Sequence, residues 1–360
     1  MTRPTQAVIN LQHLKENYQL AKSNSQKAYA VVKADAYGHG LIPIAQALSS
    51  ADGFAVACMD EALQLREQGI KNPILLFGGG IDKSEWLAAI EHDIEMVLHH
   101  QSQLDILLAD PIFSQLTIWL KIDTGMNRIG FRLNECESVL DQCRHAGLNI
   151  KALMTHFACA DDLKKDKTQR QYQALVTILE QQKIFWPELI LSCKNSAAVL
   201  GWPEVQDQIS RPGIMLYGSS PFIEKSIRSR QLKPVMTLKS NIISTHLVSP
   251  GESVGYGEGW VAEKETRVGI VAIGYGDGYP RKAPSGTPVW CNDKRLSTLG
   301  RVAMDMICID ITGMNEIDVG SEVELWGENI NASEVAELCN TISYELFCQL
   351  TPRVKRVYIP

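Results

Sequence analysis

Lys33 is the side chain whose sequence surroundings point most directly to chemistry. It follows five small or apolar residues, Ala28–Val32, and precedes a loop-forming segment that contains Asp35, Gly38 and Gly40. The apolar run predicts a short strand buried on both faces, with Lys33 where this strand opens into a loop. A buried ammonium is costly unless it is paired, loses its proton or bonds covalently. Lys33 is therefore either a lysine whose head reaches solvent along the strand, or a nucleophile that forms a Schiff base with a carbonyl compound.

The overall composition limits the possible classes of function. The chain has 360 residues, of which 45% are hydrophobic and 21% are charged, and its formal net charge is −6. This length allows two domains or one large barrel with an appendage, and the charge argues against a nucleic-acid partner. The N-terminal residues contain no apolar run that could act as a secretion signal, and no later segment reaches membrane-spanning length. We therefore expect a cytoplasmic protein without a membrane partner.

Cysteine and histidine spacing does not predict a metal site. The nine cysteines are scattered, odd in number and without a Cys-x-x-Cys pair, and several, such as Cys58, Cys193 and Cys308, lie in apolar strand-like runs. Reduced thiols explain this pattern better than disulfides. The eight histidines lack zinc-ligand spacing, since His99 and His100 are adjacent. We expect no metal.

Alternating β-like and amphipathic helical runs from residue 28 to about residue 217 indicate βα units on a parallel sheet. Eight such units predict an α/β fold with an N-terminal (β/α)8 TIM-like barrel. A doubly wound sheet is the alternative, but the chain has more units than that fold needs and lacks a glycine fingerprint at the first turn. The predicted strands are Ala28–Lys33, Gly53–Met59, Pro73–Phe77, Glu95–His99, Leu116–Asp123, Ile150–Phe157, Leu189–Lys194 and Gln208–Leu216.

Functional side chains of such barrels gather at the carboxyl ends of the strands. Each residue there has an ordinary explanation by itself: His156 as a core histidine, Arg211 as a surface ion-pair partner, and Asn195 with Ser196 as a helix cap. The set as a whole is cationic with few acids, so it predicts an anionic ligand with a phosphate and a carboxylate. The residues at the predicted mouth are Lys33, Lys121–Arg128, His156, Asn195, Ser196 and Arg211–Gly213.

Groups that could bind a phosphate follow the last two predicted strands. Ser196 begins an apparent helix, and Gly213 and Ile214 follow the eighth strand. Barrels commonly bind phosphate at helix N-termini and glycine turns in this position. Tyr37, in the loop after Lys33, could add a hydroxyl group.

The residues after 230 predict a mostly β C-terminal domain. Glycines and prolines punctuate β-branched runs such as Thr266–Ile273, Pro288–Trp290 and Met306–Ile311, and the helical pattern Ala332–Asn340 interrupts them. A polar run within 220–232 predicts a linker, which gives a barrel over 8–230 and a β domain over 231–360. The first few residues are free to pack with the second domain.

Two tyrosines of this domain stand among glycines. Tyr256 lies within 253–259, and Tyr275 lies within 274–280. A tyrosine in a glycine-rich turn is a packing anchor about as often as it is functional, so the pattern leaves both explanations open.

The segment Val32–Gly40 resembles the pyridoxal-phosphate lysine motif of the alanine racemases, and the similarity extends over nearly the whole chain. The resemblance implies an isomerase that interconverts L-alanine and D-alanine and supplies D-alanine for peptidoglycan. It implies pyridoxal 5'-phosphate bound to Lys33 as a Schiff base. It also implies that Lys33 is the base toward D-alanine and Tyr256 the base toward L-alanine, because inversion needs proton-transfer groups on both faces of the carbon.

The resemblance assigns the other site residues as well. Arg211 matches the arginine that faces the pyridine nitrogen. A carboxylate in this place would keep the nitrogen protonated, whereas an arginine cannot act as the proton acceptor. Arg128 and Met304 match positions that meet the substrate, and Asp305 follows Met304 in the same segment. Tyr275 matches a tyrosine that lines the entrance, and Lys121 a position that is carbamylated in some members. The implied cofactor contacts are Lys33, Tyr37, His156, Asn195, Ser196, Arg211, Gly213 and Ile214.

The resemblance further implies a homodimer with shared active sites. Family members pair head to tail, so that Tyr256, Tyr275 and Met304 would reach the barrel mouth of the other protomer. One position departs from the family pattern, because Pro352 stands where many members have a tyrosine beside the cofactor phosphate.

Three alternative functions remain open from the sequence. The first is a broad-specificity amino-acid racemase, which typically carries a secretion signal. The second is a decarboxylase on the same barrel, which would need a carboxylate at Arg211. The third is a pyridoxal-phosphate carrier that resembles the barrel alone and would leave the C-terminal domain without a use.

Overall fold

The computed structural model describes residues 3–222 and 227–360, which form two sheets and the helices around them. The strands are β1 Gln6–Asn10, β2 Lys27–Val31, β3 Gly53–Val56, β4 Ile74–Leu76, β5 Ile94–Leu98, β6 Thr117–Asp123, β7 Phe131–Arg132, β8 Asn149–Met154, β9 Ile190–Ser192, β10 Ile209–Ser210, β11 Met236–Val248, β12 Thr266–Val271, β13 Pro288–Cys291, β14 Lys294–Leu299, β15 Ile307–Asp310, β16 Glu322–Trp326 and β17 Lys355–Ile359.

The helices lie mainly between the strands of the first sheet. The right-handed α-helices are Leu11–Ser23, Leu41–Ala47, Met59–Glu67, Lys83–Glu91, Gln101–Leu108, Cys136–His145, Lys167–Gln182, Ser196–Gly201, Ala332–Leu338 and Ser343–Cys348. Short 3-10 helices are Pro111–Gln115, Ile214–Tyr217, Ile227–Gln231, Tyr256–Glu258 and Tyr275–Asp277.

The first sheet is a parallel barrel, which confirms the predicted fold class. Its order is β10-β2-β3-β4-β5-β6-β8-β9, and β7 pairs with β6 outside this path. Backbone hydrogen bonds close the barrel between β9 and β10, where Gln208 N–H donates to Leu191 O (3.0 Å) and Arg211 N–H donates to Lys194 O (2.8 Å). All eight predicted strands are present because strands buried on both faces need nearly continuous apolar runs, which are easily recognised in a sequence.

The second sheet contains eight strands, and six of them form a closed ring. β11 pairs with both β16 and β12, and the ring is completed by β15, β14 and β13. The remaining two strands, β1 and β17, lie outside this ring. β1 pairs with β11 in antiparallel orientation and with β17 in parallel orientation. The N-terminal strand therefore joins the sheet of the C-terminal half, and the chain enters the barrel only afterwards.

The local predictions were less accurate than the overall fold. The strand predicted over 208–216 was too long, because β10 ends at Ser210 and a 3-10 helix begins at Ile214. Cys58 was expected in an apolar strand but is exposed. The predicted linker includes residues 223–226, which lie outside the described residues, so the division at residue 230 stays a prediction.

The segment after Lys33 forms a single turn of left-handed helix. Ala34, Asp35, Ala36 and Tyr37 all have φ values of 53° or 54°. This conformation costs about 1–2 kcal/mol per residue for L-amino acids, so contacts from elsewhere must hold it. The last strand supplies two of them, since Arg356 Nε donates to Gly38 O (2.8 Å) and Tyr358 OH donates to His39 O (3.1 Å).

His39 joins this turn to the C-terminal helices. Its Nδ1–H points at Tyr37 O (2.9 Å) and Ala36 O (3.1 Å), and its ring contacts Tyr217 and Phe347 with centroids 4.5 Å and 5.2 Å away. The Nε2 atom is buried without a hydrogen-bond partner. An imidazole in this position is neutral, and burial lowers the pKa of His39 to about 4.

The burial of neutral His39 predicts a loss of stability in mild acid. In the unfolded chain the histidine pKa is about 6.5, so below that pH the unfolded state binds a proton that the folded state excludes until about pH 4. For this reason the free energy of unfolding should fall by about 2 kcal/mol between pH 7 and pH 5. Urea unfolding at fixed protein concentration measures this change. The His39→Gln protein should lack this part of the pH dependence, and an identical pH dependence in both proteins would contradict the assignment.

Candidate active site

Lys33 lies two residues beyond the end of β2, at the carboxyl end of the barrel strands. Its side chain is half-buried, with Nζ 5.8 Å from the centroid of the Phe77 ring. Burial and the positive charge of Arg128 lower the pKa of Lys33. A lysine with a lowered pKa is more often deprotonated and is therefore a better nucleophile.

Further basic groups surround the same mouth. Burial and the charges of Arg211 and Arg128 hold the pKa of Lys121 well below its usual value. Burial and the charges of Lys121 and Arg211 do the same for the pKa of His156. Within the described residues, no salt bridge neutralises Lys33, Lys121, Arg128 or Arg211. An anionic ligand would be favoured in this field.

Arg211 is fixed from both sides by neutral acceptors. Its guanidinium donates through NH1 to Ser192 Oγ and through NH2 to Thr155 O (2.6 Å). Asp207 lies nearby but accepts hydrogen bonds from the backbone N–H groups of Cys193 and Lys194. The barrel therefore presents a buried, rigid arginine with no carboxylate bound to it.

Arg128 differs from this buried arginine because it is exposed and has no hydrogen-bond or ion-pair partner among the described residues. The preceding loop is nevertheless ordered by Asp123, whose carboxylate accepts the N–H groups of Gly125 (2.9 Å) and Asn127 (3.0 Å) and pairs with Arg132 (3.0 Å). The acid at the end of β6 is thus already neutralised, and Arg128 remains available for an external anion.

The protein groups that were predicted to bind a phosphate also lie close together. Ser196 Oγ accepts the N–H of Gly213 (2.8 Å) and of Met215 (3.3 Å), and Ile214 lies between these two residues. The Tyr37 hydroxyl lies over Gly213, because a Cβ atom added there would be 2.6 Å from it. The strand ends therefore bring the hydroxyl groups of Ser196 and Tyr37 close to Gly213, and the binding of a phosphate there stays a prediction.

Asn195 has a structural task at this position. Its side chain accepts the N–H of Ala198 (3.0 Å) and caps the helix Ser196–Gly201. The helix-cap explanation offered by the sequence therefore holds for Asn195, which fixes the helix that begins at Ser196.

The residues predicted from the second domain have mostly exposed side chains. Tyr256, Tyr275 and Met304 are 72%, 37% and 52% exposed, and none has a side-chain hydrogen bond to the barrel among the described residues. Asp305 pairs with Arg353 (2.6 Å). Tyr275 and Met304 are held together by backbone hydrogen bonds from Tyr275 N–H to Ala303 O (3.0 Å) and from Gly276 N–H to Met304 O (2.8 Å).

The site also contains residues that sequence reasoning missed. Ser192 and Thr155 orient Arg211, but both lie in apolar strand runs that give no polar signal. Tyr344 lies with its ring centroid 5.9 Å from that of Tyr37, in a six-residue helix that was not predicted. Tyr344 thus brings a phenol near the phosphate cluster, although Pro352 cannot.

Both halves of the chain match known family models. Residues 9–221 match the alanine racemase N-terminal domain, and residues 235–358 match the alanine racemase C-terminal domain. This chain belongs to the alanine racemase family. It is an isomerase, and the family depends on pyridoxal phosphate. The match to the C-terminal model removes the main support for a barrel-only carrier protein.

Individual alanine racemases are similar over their full lengths. A catabolic alanine racemase of Pseudomonas putida is 46% identical over 362 residues, covering 99% of both chains. The biosynthetic alanine racemase of Pseudomonas aeruginosa has a crystal structure with a TM-score of 0.94 and 41% identity, covering 100% of both chains. The enzyme of Bartonella henselae, solved with covalently bound pyridoxal phosphate, gives a TM-score of 0.90 and 28% identity, covering 99% of both chains.

Two negative findings concern only the described residues. None of their helices combines the length and the apolar character needed to cross a bilayer. No group of three or more histidine, cysteine or acidic side chains is arranged to hold a metal ion.

The close approach of Tyr37 to Gly213 predicts that Gly213→Ala weakens binding of pyridoxal phosphate. The new Cβ would compete with the Tyr37 hydroxyl for the same space, and we expect a dissociation constant about 10-fold to 100-fold higher. Equilibrium dialysis with absorbance detection measures this change. Because Tyr37→Phe removes the competing oxygen, Gly213→Ala should have a smaller effect in that background. Equal effects in both backgrounds would show that the contact is not the cause.

Proposed function

We propose that this chain is a pyridoxal-phosphate-dependent alanine racemase that interconverts L-alanine and D-alanine with two bases, Lys33 and Tyr256. The observation that carries the proposal is the half-buried Lys33, whose pKa is lowered, at a mouth where Lys33, Arg128 and Arg211 form no salt bridge among the described residues. Such a site supplies a nucleophilic amine for the cofactor and positive charge for its phosphate and for the substrate carboxylate.

The residues present fit pyridoxal phosphate. A Cβ at position 213 would fill the space beneath the Tyr37 hydroxyl, so the chain keeps this cradle open with a glycine. Ser196, Gly213, Ile214 and Tyr37 would hold the phosphate, and Lys33 would hold the cofactor covalently. Arg211 and His156 would face the ring, and Asn195 would act through the helix that it caps.

The cofactor would supply an electron-withdrawing ring that acidifies the α-hydrogen of alanine. Arg211 would leave the ring nitrogen unprotonated, since a guanidinium that donates to Ser192 and Thr155 has no proton-accepting role. This arrangement weakens the electron demand on the α-carbon and favours return of a proton there over other outcomes. A decarboxylase of the same barrel would need a carboxylate at this position.

Proton transfer would fall to the two bases. Lys33 Nζ would remove and return the proton on one face of the α-carbon, and the Tyr256 hydroxyl would do so on the other. Arg128 would bind the substrate carboxylate, since its exposed guanidinium has no partner of its own among the described residues. Met304 would contact the substrate, and Asp305, Tyr275 and Lys121 would support the site.

The placement of Tyr256 supports a homodimer with shared sites. The side chain is 72% exposed, and it has no hydrogen bond to the barrel among the described residues. Met304, Met306 and Tyr275 are also exposed on this domain, and solvent-exposed apolar groups of this kind commonly mark an interface. A second protomer would cover them and bring Tyr256 to Lys33 of the first.

We further propose that the enzyme is cytoplasmic and supplies D-alanine for peptidoglycan. The similar Pseudomonas aeruginosa enzyme is named biosynthetic, which supports a role in synthesis. The catabolic Pseudomonas putida relative, at 46% identity, favours alanine breakdown as a second candidate role. Both roles use the same reaction and differ in the direction of net flux.

Racemisation by proton removal predicts deuterium incorporation. Incubation with L-alanine in deuterium oxide should give D-alanine that carries deuterium at the α-carbon, detected by chiral chromatography with mass detection. Lys33→Ala and Tyr256→Phe should each lower kcat by at least about 100-fold, because each removes the group that serves one face. If cofactor-loaded protein produced neither D-alanine nor α-deuterium, the proposal would fail for alanine.

Shared active sites predict recovery of activity in mixed dimers. When Lys33→Ala and Tyr256→Phe proteins are mixed and allowed to exchange subunits, each heterodimer contains one site with both lesions and one intact site. Activity should therefore rise to about a quarter of the wild-type value, since about half of the dimers are mixed. If Lys33 and Tyr256 acted within one chain, mixing would restore nothing.

A further inference from the structure

Glu61 connects the segment that carries Lys33 to the next strand of the barrel. One carboxylate oxygen accepts the backbone N–H of Ala34 (2.6 Å), the residue after Lys33. The other accepts the backbone N–H of Ala57 (2.8 Å), the residue after β3. A single half-buried side chain thus bridges the ends of two neighbouring strands at the barrel mouth.

The position of this carboxylate follows from the pairing of β2 with β3. The last backbone hydrogen bond between the two strands joins Val32 N–H to Ala55 O (2.9 Å). In a parallel ladder the next two bonds would run from Ala57 N–H to Val32 O and from Ala34 N–H to Ala57 O. The Glu61 carboxylate occupies that place instead, so the two chains separate while their N–H groups stay bonded.

This separation is needed because Ala34 begins the left-handed turn. Its φ is 54°, and a strand cannot continue with such a residue. The residues on both sides of Lys33 are therefore hydrogen-bonded to the neighbouring βα unit. The Val32 N–H donates to Ala55 O, and the Ala34 N–H donates to the Glu61 carboxylate. These bonds restrain the Lys33 backbone at the residues on both of its sides.

Helix capping explains only half of this arrangement. Glu61 is the third residue of the helix Met59–Glu67, a position where a carboxylate commonly supports the N-terminus of its own helix. The bond to Ala57, just before the helix, fits that role. The bond to Ala34 does not, because Ala34 belongs to another βα unit.

We infer that Glu61 is a positioning residue for Lys33, which holds the turn after it in place through the Ala34 N–H. This inference rests on the proposed function for its catalytic consequence, but the bond itself is independent of it. The negative charge of Glu61 also opposes the fall in the pKa of Lys33 that burial and Arg128 cause. Glu61 thus acts on both the position and the charge of the lysine.

The test compares Glu61→Ala and Glu61→Gln with Asp60→Asn in the holoenzyme. Asp60 is an exposed acid one residue earlier in the same helical turn, so Asp60→Asn removes the same charge from the helix without touching Ala34. Glutamine keeps one acceptor oxygen and so retains at most one of the two bonds. Three quantities are measured: amide hydrogen exchange of the segment 33–38, the absorbance spectrum and dissociation constant of the bound cofactor, and kcat with KM.

We expect Asp60→Asn to match the wild-type protein. In Glu61→Ala the Ala34 amide should exchange about 10-fold faster, because it loses its acceptor. The cofactor spectrum should shift, and kcat should fall about 10-fold to 100-fold with little change in KM, as misplacement of a reacting group does. The exchange rate and kcat of Glu61→Gln should lie between those of Asp60→Asn and Glu61→Ala. If Glu61→Ala does not fold, Glu61→Gln takes its place in the comparison.

Two results would overturn the inference. One is unchanged exchange of the Ala34 amide in the Glu61 variants. The other is a lower melting temperature while kcat, per cofactor-loaded molecule, and the cofactor spectrum match those of Asp60→Asn, which would make Glu61 a purely structural residue. A failure of the proposed function would show instead as inactive wild-type protein, and the exchange and cofactor-binding data would still report on Glu61.

Discussion

The left-handed turn after Lys33 is the constraint on which the rest of the structure depends. Four consecutive L-residues with positive φ cost about 4–8 kcal/mol in total, which no local preference of alanine, aspartate or tyrosine repays. The turn therefore exists only because distant parts of the chain hold it. Arg356 and Tyr358 contact its carbonyl groups from β17, and Phe347 O lies where a Cβ on Gly38 would be. The position of Lys33 therefore depends on contacts made by the C-terminal part of the chain.

This constraint explains why the barrel alone would be an incomplete site. Release of the C-terminal helices would free the turn, and with it both Lys33 and Tyr37, whose ring stacks on Tyr217 (4.8 Å) and lies against Tyr344. The N-terminal strand β1 strengthens the connection, because it belongs to the second sheet and leads directly into the first barrel helix. Buried apolar side chains from both halves of the chain belong to one continuous core.

The sequence predicted the barrel and the identity of the mouth residues, and it failed where tertiary contacts override local preference. Eight apolar runs were visible because parallel strands are buried on both faces. The left-handed turn was not visible, since its residues prefer other conformations by themselves. Ser192 and Thr155 gave no signal because a hydroxyl in an apolar strand has no recognisable spacing. The bond from Ala34 to Glu61 gave no signal either, because it depends on strand register across two βα units. Tyr256 was recognised by motif, but its exposure follows only from the fold.

The positive charge at the mouth is retained because the nearby carboxylates of Asp123 and Asp207 do not pair with Arg128 or Arg211. Asp123 and Asp207 lie close to the cationic residues, yet each is occupied by backbone N–H groups, and Asp123 also by Arg132. Had either carboxylate been free, it would have paired with Arg128 or Arg211 and removed the attraction for a phosphate or a substrate carboxylate. Arg211 is oriented by neutral oxygens, and Arg128 is left without a partner among the described residues. Among the described residues, the positive charge of Arg128 and Arg211 is therefore preserved because Asp123 and Asp207 are held by backbone N–H groups, and Asp123 also by Arg132. An anionic ligand would supply the counter-ion.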